Sequence, residues 1–109
     1  MTYSVEIAAQ AERDLRGIYE YIAYELRSTQ NAVAQLARLE ESIYALDQMP
    51  ERYRRYEKEP WCSLGWRIMP VGRYCVFYMP DHDQKAVNVT RVLYGGRDME
   101  TALASSEGS

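Results

Sequence analysis

Arg91-Val92-Leu93-Tyr94-Gly95-Gly96-Arg97-Asp98 stands near the C-terminus, after two apolar runs, Arg67-Ile68-Met69-Pro70-Val71-Gly72 and Arg73-Tyr74-Cys75-Val76-Phe77-Tyr78. From Val87 to Tyr94, β-branched and aromatic residues alternate with polar ones, which predicts a strand. Gly95-Gly96 ends it, since paired glycines mark a turn that needs unusual backbone angles. Arg97 is therefore expected just past a strand end, where a long cation is held at a defined point. Working back from this stretch, strands are predicted at about 66–70, 73–79 and 86–94. Val71-Gly72 makes a tight hairpin between the first two, and Asp81 through Lys85 a longer loop.

Further upstream, Tyr3, Val5 and Ile7 alternate with Thr2, Ser4 and Glu6, the period of a strand with one buried face. From Ala8 the period changes. Ala11, Leu15, Ile18, Ile22 and Leu26 recur at three- and four-residue steps and form one helical stripe. Arg27-Ser28-Thr29-Gln30 breaks that helix, and Ser28 or Thr29 can cap the next. Ala32, Leu36, Leu39, Ile43 and Leu46 then define a second helix, from about Asn31 to Gln48. Met49-Pro50 ends it, because the residue before proline is pushed out of helical angles. Residues 98–104 suit a short terminal helix capped by Asp98, and residues 104–109 should fray. The expected fold is α+β: a strand, an antiparallel helical hairpin, then a three-stranded antiparallel meander, with the helices on one sheet face and the other face open. All 109 residues are expected to form one domain, its ordered core about 2–103.

A chain of this length can bury a core without metal or disulfide support. Its hydrophobic fraction of 47% and charged fraction of 27% are ordinary for a globular protein. No apolar run approaches the roughly 20 residues of a membrane span. With no basic-then-apolar leader, the expected location is the cytoplasm. Cys62 and Cys75 fit neither a CxxC pair nor a zinc ligand set, and the single histidine, His82, sits in a polar turn. Metal, Ser/His/Asp and Cys/His chemistry are thereby disfavoured, and no phosphate-binding glycine loop is present. No cofactor is expected. Net charge is −3, yet residues 50–99 carry nine Lys/Arg against six Asp/Glu, while residues 1–49 carry four against eight. Such a balance suits a focused site better than general polyanion binding.

Four arginines fall on or beside the predicted sheet: Arg67, Arg73, Arg91 and Arg97. By simple alternation Arg91 shares the face of Val87 and Val89. If those valines and Leu93 face the helices, Arg91 is either a partly buried ion-pair member or a marker of the open face. Its acid would be Asp98 or one on a helix. Tyr53, Arg54 and Tyr56 lie in the connector Glu51–Lys58, where basic and aromatic residues interleave. That pattern reads as a protein or single-stranded nucleic-acid contact, or as a solvated connector whose tyrosines cover a seam. Tyr19, Tyr21 and Tyr24 cannot all lie on the buried stripe, so some exposed aromatic surface is expected.

The runs Val71–Tyr78 and Arg91–Asp98, with Tyr3–Ile7, Ala11–Leu15 and Ile18–Ile22 ahead of them, resemble the RelE/ParE superfamily of toxins from bacterial toxin–antitoxin modules. The likeness covers roughly residues 3–103. It implies a growth inhibitor neutralised by a cognate antitoxin, whose C-terminal segment lies on the open sheet face and the groove beside the helices. In the RelE-like branch, basic side chains on the sheet cleave mRNA within the ribosome, and Arg67 and Arg97 match basic positions of that branch. The arginine that branch carries after the middle strand's tyrosine is Cys75 here. A terminal tyrosine or histidine is replaced by Met99, Thr101, Ala102 and Leu103. Gly72-Arg73-Tyr74 and Arg91-Val92-Leu93-Tyr94-Gly95 look closer to the ParE-like branch, which poisons DNA gyrase and needs no active site of its own. A domain that has lost toxicity and serves only as a binding or autoregulatory partner is the third possibility. Arg73, Arg91, Arg97, Tyr53, Arg54 and Tyr56 are the candidate contacts with target or antitoxin.

Overall fold

The computed structural model describes residues 2–96 and 98–107, with the backbone alone at 105–107. The elements follow the sequence periods: β1 (Ser4–Ile7), α1 (Ala9–Glu20), α2 (Thr29–Tyr44), β2 (Arg67–Val71), β3 (Tyr74–Asp81), β4 (Ala86–Tyr94) and α3 (Met99–Glu107). β2, β3 and β4 form the antiparallel meander, and β1 adds to its end parallel to β4, giving the order β1-β4-β3-β2. The first turn is Gly72-Arg73, one residue later than expected, and Gly72 takes a left-handed φ of 60° there. Ser28 caps α2 by accepting from the Asn31 N–H at 3.4 Å. Asp98 caps α3 through the Thr101 N–H and hydroxyl, and these bonds hold its carboxyl below the usual range.

One core lies between the helical hairpin and the sheet. Ala11 and Leu15 of α1 and Leu39 and Ile43 of α2 meet Met69, Val76, Tyr78, Val87, Val89 and Val92, all buried. Each large aliphatic side chain buried there contributes roughly 1.5–3 kcal/mol. α1 does not continue as an α-helix to Leu26. Its last turn, Tyr21–Glu25, is π-helical, and the wider turn shifts the phase of the stripe. Ile22 and Ala23 stay buried, while Leu26 rotates out and is 57% exposed. α2 stops at Tyr44, and a 3₁₀ turn over Ala45–Asp47 delivers Leu46 to the core.

The sheet's other face is not open. Tyr56 and Trp61 of the connector and Leu103 of α3 pack on Ile68 and Phe77, with Trp66, Cys75, Leu93 and Met99 against them. The connector also pairs along the outer edge of β2: Tyr56 N–H donates to Trp66 O, and Ile68 N–H to Arg54 O. A single irregularity in β4 decides which side chains reach which face. Phe77 pairs with Arg91 and Tyr78 with Val89, so Thr90 is an extra residue. Past this bulge the alternation inverts. Val92 joins the helix-side core, whereas Leu93 falls among the aromatics of the far face, contrary to simple alternation.

Tyr78 is fully buried, and its hydroxyl donates to Pro50 O at 2.6 Å. Burial pushes its phenol from 10.0 up to about 12. The unfolded chain therefore ionises first, and the native state holds more protons between those values. The stabilisation is complete below pH 10 and is lost as pH rises through 12, a change of roughly 2–3 kcal/mol. Denaturant titrations between pH 9 and 12 should show this decline. Tyr78→Phe should flatten it, leaving the smaller same-sign contributions of Tyr56, Tyr74 and Cys75, whose phenols and thiol burial also raises. An unchanged slope in Tyr78→Phe would remove Tyr78 as the cause.

Candidate functional site

A groove of about 1760 Å³ runs along one end of the molecule. α1 supplies Arg13, Gly17 and Tyr21 from one outward stripe, and α2 supplies Asn31, Gln35 and Arg38 at helical spacing. The Gly72–Tyr74 turn, Val92–Tyr94 and the start of α3 close the opposite side. The groove is cationic although the chain is acidic: among its described residues four arginines stand against two aspartates, Asp14 and Asp98.

Two of those charges are tied together in the groove wall. Arg91 donates from Nε and Nη2 to the Asp14 carboxylate at 2.7 and 3.0 Å, and from Nη1 to Ala102 O at 3.0 Å. Asp14 Oδ2 also accepts the Val92 N–H at 2.9 Å. β1 pairs with β4 only as far as Val89, and beyond that point the Asp14 carboxylate takes the neighbouring strand's place. Both side chains are about nine-tenths buried. One bidentate pair thus joins α1, β4 and α3.

The remaining cations, Arg13, Arg38 and Arg73, are exposed around the groove. Among the described residues Arg13 and Arg38 donate to neutral glutamine oxygens one helical turn away, at 2.9 and 3.4 Å. Aromatic surface lies among them: Tyr74 and Tyr94 meet edge to face at 5.8 Å, and Tyr21 and Tyr94 are 54% and 42% exposed. Gln35 Nε2 is buried in the wall with no acceptor among the described residues. Cations around an aromatic floor suit capture of an acidic, apolar-bearing chain.

The residues predicted from sequence do not all converge here. Arg73 and Arg91 line the groove. Arg67 lies at the outer edge of β2, where its Nη1 donates to the carbonyls of Tyr53 and Glu51 at 2.7 and 3.3 Å. Tyr53 is half-buried, with the Arg52 guanidinium 5.3 Å above its ring. Arg54 is exposed on the connector, whereas Tyr56 is only 5% exposed and belongs to the far-face cluster. Arg97 lies outside the described residues. The glycines before it serve close approach, and neither has a positive φ. A Cβ on Gly95 would sit 3.3 Å from Arg73 O, and one on Gly96 only 2.7 Å from the Tyr94 ring.

Arg13, Gly17 and Arg38 escaped the sequence reading, whereas Tyr21 is part of the exposed aromatic surface expected there. Arg13, Gly17 and Tyr21 recur at steps of four on the polar side of the first helix, where a cation, a glycine and a tyrosine in line are the available signal. His82 is engaged elsewhere, its Nδ1 2.7 Å from the Tyr3 hydroxyl. Burial raises the Cys75 thiol, so it is no ready nucleophile. Among the described residues no cluster of three His, Cys, Asp or Glu side chains could hold a metal ion, and no helix is long and apolar enough to cross a membrane.

The family described as the ParE toxin of the type II toxin–antitoxin system parDE matches residues 5–99. No curated protein matches the chain. Among solved structures, the chain is similar to one from the chromosomal ParDE toxin–antitoxin system of P. aeruginosa, at 18% identity and a TM-score of 0.70, covering 85% of this chain and 96% of that one. It is also similar to one from the RelBE2 toxin–antitoxin complex of Mycobacterium tuberculosis, at 23% identity and a TM-score of 0.64, covering 86% and 99%. The isolated E. coli RelE toxin shares the fold at 12% identity and a TM-score of 0.54, covering 98% and 99%.

Proposed function

The chain belongs to the ParE toxin family of type II toxin–antitoxin systems, and from that premise we propose that it inhibits growth by poisoning DNA gyrase and is silenced by an antitoxin seated in the Arg13–Arg38–Arg73 groove. The observation that carries the choice of target is the covered far face of the sheet. Cys75 stands where the RelE-like branch carries an arginine, and it packs against the Tyr56–Trp61–Phe77–Leu103 cluster. Arg67, matching a basic position of that branch, is occupied by two backbone carbonyls. Phosphoryl transfer to a 2′-hydroxyl needs cations free to meet the developing charge, and these two positions do not supply them. Action on a protein target requires no such constellation. The cytoplasm is the compartment where target and antitoxin would be met.

Two assays with the purified chain separate the alternatives. Gyrase supercoiling should fall with added chain, while ribosome-programmed mRNA stays intact. Ribosome-dependent mRNA cleavage with gyrase unaffected would replace this reading with the RelE-like one. No effect in either assay, and unimpaired growth on expression in a bacterium, would leave a non-toxic binding module.

A further inference from the structure

We propose that Gly17 is the point of closest approach between this chain and an acidic helix of its antitoxin, and that its missing side chain helps decide which antitoxin is accepted; this rests on the antitoxin reading of the groove. Gly17 occupies the interior of α1 and is exposed. Glycine there is less favourable to the helix than alanine. Among the described residues nothing requires it: its φ is not positive, and an added Cβ would meet no atom within 4 Å. The space it leaves opens into the groove, between Arg13 and Tyr21 on the same stripe, with small, exposed Ala34 on α2 also in the lining. Small residues at a helix contact let the two backbones come close.

The chemistry of the occupant follows from the same lining. Four arginines against two aspartates, in a chain of net charge −3, favour a segment bearing carboxylates. Its conformation follows from the sheet edge. Adding a strand to β4 needs free edge donors, yet the Val92 N–H past the end of β1 is already held by Asp14, and Asp14 by Arg91. A helix recognised through its side chains has no need of that edge.

The test uses the whole chain and the protein encoded by the reading frame adjacent to its own, with affinity measured by calorimetry. The wild-type chain should bind, and Gly17→Leu should bind ~10–100-fold more weakly, as overfilling a packed contact does, with its circular dichroism spectrum unchanged. Gly17→Gln serves as a second bulky variant should leucine disturb folding, and Gly17→Ala should raise the melting temperature. Arg38→Glu should weaken binding and reduce its sensitivity to salt. A Gly17→Leu or folded Gly17→Gln chain that binds like wild type overturns the inference while leaving the antitoxin reading intact. Absence of wild-type binding overturns both. Binding without a gain of helical signal overturns the helical assignment. A dimer of the isolated chain that Gly17→Leu disrupts would give the groove to a second copy instead.

Discussion

Replacing Arg91 by alanine is expected to cost about 3–5 kcal/mol of folding stability, a large part of the ~5–15 kcal/mol available to a domain. The guanidinium supplies both charge-assisted bonds to Asp14 and a third to Ala102 O. Its loss leaves a carboxylate about nine-tenths buried and unpaired, and detaches a donor that helps hold α3 to β4. The penalty arises from the stranded charge more than from the lost attraction. Arg91→Met combined with Asp14→Asn should therefore recover most of it, since the asparagine oxygen can still accept the Val92 N–H and neither side chain is ionic. Urea unfolding of the wild type, each single variant and the double variant gives the coupling directly. A double variant no more stable than Arg91→Ala would show that the arginine acts by packing, and a loss under 1 kcal/mol for Arg91→Ala would place the pair in effective contact with water.

Phe77→Ala is expected to cost a similar ~3–5 kcal/mol. Phe77 is fully buried, meeting the Tyr56 ring edge to face at 5.0 Å and the Trp66 ring at 6.4 Å. It is where the connector and α3 seat on the sheet, so truncation opens a cavity beneath two tryptophans. Trp61 and Trp66 are the only tryptophans in the chain, so their fluorescence reports on this face directly. The cavity should loosen their surroundings and shift the emission, with a fall in melting temperature. Full stability together with unaltered fluorescence would mean that the far-face cluster does not hold the connector down.

The elements were legible because each announces its period: two residues in Tyr3–Ile7 and Val87–Tyr94, three to four in the stripes through Leu15 and Leu39. Ser28 and Asp98 were legible as caps because short acceptor side chains precede helical runs. The inversion at Thr90 was missed: its trace in the sequence is two adjacent polar residues, Thr90 and Arg91, between Val89 and Val92, and only the pairing of Val89 with Tyr78 and Arg91 with Phe77 makes it a bulge. Leu26 misled for a related reason: a π turn alters the phase of a stripe without altering its residues. The covering of the far face was hidden because the Tyr56–Trp66 segment has no repeating period and is held by contacts distant in sequence. The groove lay mostly beyond reach as well. Arg73 was readable beside its turn, but nothing in the sequence ties Arg13 or Arg38 to it, because only the fold brings two helices and a hairpin turn around one space.

The parallel pairing of β1 with β4 couples residues 4–7 to residues 86–89. During synthesis the first strand is made long before its partner: at ~5–20 residues per second, about 4–16 s elapse before β4 exists. The helical hairpin contains only local contacts and can form in that interval, whereas the sheet cannot be completed until its last strand has been translated. Tyr3, Val5 and Ile7 pack against the core only in the finished sheet. The nascent chain therefore carries an unpaired apolar strand ahead of the helical hairpin, and its final fold arises as a late, nearly all-or-none event.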